Sequence, residues 1–250
     1  MTEHRVLLAV YAHPDDEAVR AGGTLAMLAC QGVRVHLVCA TYGEAGRLGE
    51  PPVCAPEELG QLREQELRAA CGALGIERPT VLGYPDGNLA SVDWRLIVDY
   101  LVGAMTAWGV TTVLTFGPDG ISGHPDHVAI GRLATEAFIR ARHQAAATGQ
   151  GAWHVRPERL YYQVVPRSVA KEFALQGVEG IPDELVTATV DVSGWLGAKI
   201  AALHYHGSQR QGMRFLDWPA DRRDEFLCLE HFRCAFGPLE AQQPAFTISV

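Results

Sequence analysis

The chain has 250 residues, 48% of them hydrophobic, enough to bury one sizeable core and suited to a single domain over residues 1–250. A formal net charge of −8 and an isoelectric point near 5.7 argue against a broad nucleic-acid or anionic-membrane surface, which needs clustered Lys and Arg, so a small molecule is the expected partner. The six cysteines form no CxxC pair and read as reduced, buried thiols; no apolar run reaches the ~18 residues of a membrane span, and the charged Met1–Arg5 start favours a cytoplasmic protein.

Arg5–Ala12 is a continuous apolar run ending at His-Pro, the pattern of a central parallel strand covered on both faces. A helix over about Glu17–Gln31 and a second apolar strand, Val33–Ala40, complete a strand-helix-strand unit. Tyr42–Pro56 is rich in Gly and Pro and reads as a long surface loop. A helix over about Glu57–Leu74, a strand at Thr80–Gly83, a turn at Tyr84–Gly87, a helix over about Val92–Trp108 and a strand at Thr111–Phe116 follow. An Ala-rich helix then runs to about Ala147, with a connector at Thr148–Gly151, a strand at Arg159–Val165, a helix around Trp195–Tyr205 and a closing strand near Phe246–Val250. The alternation predicts an α/β fold: a Rossmann-like, doubly wound, mostly parallel sheet with helices on both faces.

Two polar clusters stand where strands end. His13-Pro14-Asp15-Asp16-Glu17 follows the first strand, and Gly123-His124-Pro125-Asp126-His127 follows the strand at 111–116. In doubly wound sheets ligands bind beyond the carboxyl ends of strands, so both clusters can line one crevice. A catalytic zinc takes three His or carboxylate ligands and leaves a fourth position for water, a set that His13, Asp16 and His127 would supply. Asp15 is then free for the proton transfers of hydrolysis. Pro14 and Pro125 keep the chain extended before each helix starts.

These residues resemble the LmbE-like, or PIG-L-like, family of zinc-dependent de-N-acetylases. Ala12–Glu17 with Gly22-Gly23-Thr24 matches its first motif, and Gly123–His127 its second. Leu62-Arg63-Glu64-Gln65-Glu66 leading to Leu74-Gly75, Pro85-Asp86-Gly87, and Lys199 through His206-Gly207-Ser208-Gln209 agree more weakly, so the likeness runs from about residue 5 to residue 209. It implies zinc on His13, Asp16 and His127, and removal of acetate from an N-acetylated amino sugar or its conjugate by zinc-activated water. Asp15 would be general base and then general acid, His124 would stabilise charge on the substrate oxygen, and Arg63 would bind substrate. Asp126 would hold the His124 ring protonated, since a nearby carboxylate raises a histidine pKa. Some members carry a tyrosine just ahead of the second motif; Ser122 lies there here. The likeness is compatible with a homo-oligomer.

Plainer readings exist for several of these residues. Asp15 or Asp16 could simply cap a helix, which leaves the second cluster unexplained. Arg63 among glutamates reads as a solvated helix face pairing with Glu66, and Asp86 as an ordinary Pro-Asp-Gly turn. His204 and His206, two apart on a predicted helix, point in different directions, leaving His206 a structural or substrate-facing role. The ligand set also accepts Fe(II), so a non-haem iron oxygenase is a rival, as is a non-catalytic sugar- or nucleotide-binding protein.

Overall fold

The computed structural model describes residues 5–147 and 156–237. In chain order the elements are β1 (Val6–Tyr11), α1 (Asp16–Cys30), β2 (Arg34–Thr41), α2 (Leu59–Leu74), β3 (Thr80–Tyr84), α3 (Trp94–Trp108), β4 (Thr112–Phe116), α4 (Gly120–Gly123), α5 (Pro125–Ala147), β5 (Arg159–Val164), α6 (Arg167–Glu172), β6 (Ala188–Asp191), α7 (Leu196–Tyr205), α8 (Ala220–Leu227) and β7 (Leu229–Phe236).

The seven strands form one sheet in the order β3-β2-β1-β4-β5-β7-β6. The first five are parallel, and β7 pairs antiparallel with both β5 and β6. Every residue of β1 and β4 is buried, as expected of adjacent central strands, and Ala9 lies opposite Leu114. Helices α1, α2 and α7 pack together, as do α3 and α5, covering the sheet in two layers.

The connection from β1 runs to β2 on one side, while β4 lies on the other. This reversal opens a crevice beyond Tyr11 and Phe116, where a doubly wound sheet binds its ligands. Both predicted clusters leave the sheet at that point.

The strands and helices predicted up to residue 165 are present, with ends shifted by a residue or two. The antiparallel pair β6 and β7 and the helices α6 and α8 carried no such prediction. The expected connector at 148–151 and the strand at 246–250 lie outside the described residues. The six cysteines are free, but only Cys39 and Cys71 are buried; Cys30, at the end of α1, is exposed, so the expected burial holds for two of them.

Candidate active site

The chain leaves β1 through a backbone turn that is costly for any residue but glycine. Asp15 adopts φ 118° and ψ −25°, left-handed geometry that persists only where its surroundings hold it. Two buried side chains do so. The Asp15 amide donates to Glu17 Oε2 at 3.1 Å, and the Arg63 guanidinium donates to the carbonyls of Pro14 and Gly43 and, at 3.3 Å, to Asp15 Oδ2. Asp16 folds back, so that its Oδ2 accepts from the His13 amide at 2.8 Å.

The second cluster is placed by β4 and the start of α5. Gly120 has φ 59°, and a Cβ there would lie 2.9 Å from that of His127, so glycine admits the close approach. The His127 ring stacks on Phe116 with centroids 4.1 Å apart, and its Nδ1 lies 3.1 Å from the Gly120 carbonyl. That bond leaves Nε2 free to face the crevice.

There the clusters meet. His13 Nδ1 is 3.2 Å from His127 Nε2 and 3.6 Å from Asp16 Oδ2, while His127 Nε2 is 3.3 Å from Asp16 Oδ1. Neighbouring ligands of a tetrahedral ion with bonds of about 2.0–2.1 Å stand about 3.3 Å apart; the three side chains approach one another to that range, but His13 and His127 face different oxygens of Asp16, so one ion shared by all three requires the Asp16 carboxylate to turn. The far side of each ring is also satisfied, as metal-binding histidines require: His13 Nε2 lies 2.9 Å from Asp86 Oδ1 and 3.3 Å from Asp126 Oδ2. Among the described residues, the groupings that place one ligand atom from each residue within 4.8 Å of one another are His13–His124–His127 and His13–Asp86–Asp126. The second is better described as the outer support of His13, because its carboxylates already accept from the amides of Ala45, Gly87 and Leu89. In the first, His124 Nδ1 already accepts from the Asp126 amide.

The electrostatics agree with a cation at this position. Burial alone would lower the His13 pKa, but the carboxylates of Asp126 and Asp86, reinforced by Asp16, outweigh it and raise it to about 10. Burial pushes Asp16 up, yet the charge and hydrogen bond of His127 hold it well below the usual carboxylate range. Asp15 differs: burial raises it to about 6 against the pull of Arg63, placing it near the range useful to a general base.

The structure corrects three expectations. The Asp126 carboxylate turns away from the His124 ring toward His13 and the Gly87 and Leu89 amides, so it does not hold the His124 imidazole as expected. Burial and the two neighbouring histidines lower the His124 pKa, and an accepting Nδ1 places the proton of the neutral ring on Nε2. Arg63 is 3% exposed and grips the Asp15 turn, so it is not a solvated helix face; Glu66 instead accepts from the amide and hydroxyl of Ser208. Asp86 is no idle turn residue but a partner of His13. Nothing in Pro-Asp-Gly signals this, because the contact exists only once β3 and β1 lie in one sheet.

A cleft of about 720 Å³ opens from Asp16 and His127. Val19, Leu175, Phe215 and Trp218 form an apolar wall along it, and Arg47 and Arg214 stand at its rim. Its outer wall is built by residues 173–226, the stretch least legible from sequence. Among the described residues no helix is long and apolar enough to cross a membrane.

Known proteins match this chain in sequence and fold. Residues 8–138 match the family described as PIG-L: GlcNAc-PI de-N-acetylase. A 1D-myo-inositol 2-acetamido-2-deoxy-alpha-D-glucopyranoside deacetylase of Acidothermus cellulolyticus is 33% identical, over 82% of this chain and 80% of that protein. The N,N'-diacetylchitobiose deacetylase of Pyrococcus horikoshii superposes with a TM-score of 0.67 at 20% identity, over 94% of this chain and 85% of its own. A 4-carboxy-2-hydroxymuconate hydratase of Pseudomonas putida superposes with a TM-score of 0.69 at 21% identity, over 96% and 99%, so the fold alone does not fix the reaction. The family match over more than half the chain, its strand-end motifs converging at the β1/β4 crevice, shows that this chain belongs to the PIG-L family.

Proposed function

We propose that the protein is a metal-dependent N-deacetylase, a hydrolase that cleaves the amide C–N bond of an N-acetylated amino sugar conjugate. The observation that carries this reading is the company of Asp15: a carboxylate raised to about 6 and 22% exposed, directly before a metal-ligand residue, on a turn held open by Arg63. His13, Asp16 and His127 would hold the ion, Zn²⁺ in our reading, with Fe²⁺ compatible with the same donors. Bound there, the ion would polarise the acetyl carbonyl and acidify a water.

Asp15 takes the proton of the attacking water and returns it to the departing amine, so acetate and a free amine leave. His124 donates from Nε2 to the developing oxyanion, a contribution of roughly 3–4 kcal/mol for a donor of this type. Asp126, with Asp86, orients His13 rather than His124. Arg63 acts on the base, fixing the Asp15 turn. A free carboxylate and a hydrogen-bond donor beside the ligands suit hydrolysis better than oxygen activation.

The relative from Acidothermus and the Pyrococcus enzyme are both named for N-acetylglucosamine-containing substrates, which supports that headgroup here. The apolar wall suits a conjugate whose aglycone rests on Phe215 and Trp218. The test is acetate release from a panel of N-acetylglucosamine conjugates with polar and apolar aglycones, using metal-loaded protein. Metal-dependent acetate with the highest kcat/KM on apolar conjugates supports the reading. Acetate from none of them, despite one bound metal per chain, contradicts it.

A further inference from the structure

We infer that His206 is a positioning residue for Asp15, acting through Glu17, and that the segment His206–Gln209 is the brace that keeps the catalytic turn in shape. This inference rests on the deacetylase reading above. His206 directly follows α7 and lies 189 residues from Glu17, yet their side chains meet with Nε2 and Oε1 2.6 Å apart, at 0% and 1% side-chain exposure. The other oxygen of the same carboxylate accepts the amide of Asp15 at 3.1 Å. Glu17 is therefore anchored at one end and holds, at the other, the one residue of the turn in left-handed geometry. Without that acceptor the Asp15 amide is free to relax toward ordinary extended N-cap geometry, which carries the carboxylate away from Arg63 and from the metal ligands.

The next residues tie down the rest of the base's surroundings. The Ser208 amide and hydroxyl each donate, at 2.7 Å, to Glu66, one helical turn from Arg63 on α2. Gln209 receives the Arg47 amide at 3.2 Å and donates to the Arg47 carbonyl at 2.8 Å, fixing the loop at the cleft rim. Three residues of this four-residue segment, His206, Ser208 and Gln209, thus brace the Asp15 turn, the helix carrying Arg63 and the loop carrying Arg47. A brace that served folding alone would not need to end on the amide of the base itself.

The test compares full-length, metal-loaded His206→Phe, which keeps a ring but loses the donor, with His206→Gln, which keeps a side-chain N–H. Because a 1 Å misplacement of a reacting group costs on the order of 10²-fold, H206F should lose roughly 10- to 100-fold in kcat, with KM and metal content close to wild type. H206Q should recover most of that loss. Wild-type kcat in H206F, or equal losses in both variants that follow metal content or folded fraction, overturns the inference. Should H206F not fold, Glu17→Gln carries the same test, since its side-chain amide cannot accept from both His206 and Asp15. If the wild-type protein releases no acetate from any conjugate, the functional reading falls and crystal structures decide the brace. Asp15 leaving the left-handed region in H206F or E17Q supports it, and an unchanged Asp15 overturns it.

Discussion

Asp126→Asn tests the outer support of the metal site. The carboxylate is fully buried; Oδ2 accepts from the Gly87 amide at 2.7 Å and faces His13 Nε2 at 3.3 Å, while Oδ1 accepts from the Leu89 amide at 3.0 Å. An asparagine offers one acceptor atom in place of two and no charge, so its NH₂ must face either the Leu89 donor or the Gly87 and His13 donors. A hydrogen bond to a charged group is worth about 1.5–3 kcal/mol, and loss of an outer partner of a metal-binding histidine costs about 10- to 100-fold in affinity, or about 1.4–2.8 kcal/mol. Asp86, 2.9 Å from the same nitrogen, retains part of the grip. We therefore expect about a tenfold loss for D126N, and a D86N/D126N double variant whose effect is not the sum of the single ones, because both carboxylates hold one ring atom. Competition with a chromophoric chelator near neutral pH measures this directly. Zinc affinity within about twofold of wild type in the double variant, with the fold intact, would refute the account of how His13 is oriented.

Three further outcomes follow from the same contacts. In the metal-free protein the His13 pKa is raised from 6.5 to about 10, so its contribution to stability is fully present below about pH 6.5 and is lost as pH rises through 10. Thermal melts of chelated protein across that range should show a falling Tm that zinc abolishes. Arg63→Met removes the cation that pulls Asp15 down against burial; the acid limb of kcat/KM should move to higher pH than in wild type, and an unmoved limb would remove Arg63 from the electrostatics of the base. Lys199 and Glu230 form a buried pair at 2.7 Å, and the Glu230 carboxylate also accepts from the amides of Gly23 and Thr24. Lys199→Met strands that carboxylate and should cost about 3–5 kcal/mol in denaturant unfolding, whereas replacing both partners with apolar residues should cost much less.

The two polar clusters that meet at the crevice are legible in the sequence because they are local to strand ends. The apolar run before His13 and the one before Gly117 announce two buried strands, and the alternating elements between them place both exits at one crevice. The contacts made by the supporting residues are not legible, since each works across the fold. Asp86 reaches His13 only through the pairing of β3, β2 and β1, and Glu66 finds Ser208 rather than Arg63 because α2 packs on α7. His206 sits just past the end of α7, buried where His204 is exposed, and the HxH spacing says nothing of Glu17. Strand β7 escapes because a Cys, an Arg and two His or Glu residues interrupt its apolar alternation; it is held by pairing with β5 and β6 more than by its own pattern.

The most direct test of the central claim sets zinc-loaded wild type beside Asp15→Asn, measuring acetate and new amine from one N-acetylglucosamine conjugate together with bound metal. Equal acetate and amine from wild type, and a loss of roughly 10²- to 10⁴-fold in D15N at unchanged zinc content, is the result the account predicts. Wild-type turnover by D15N would contradict the assignment of the base, and amine formation that persists in fully chelated protein would contradict the metal site.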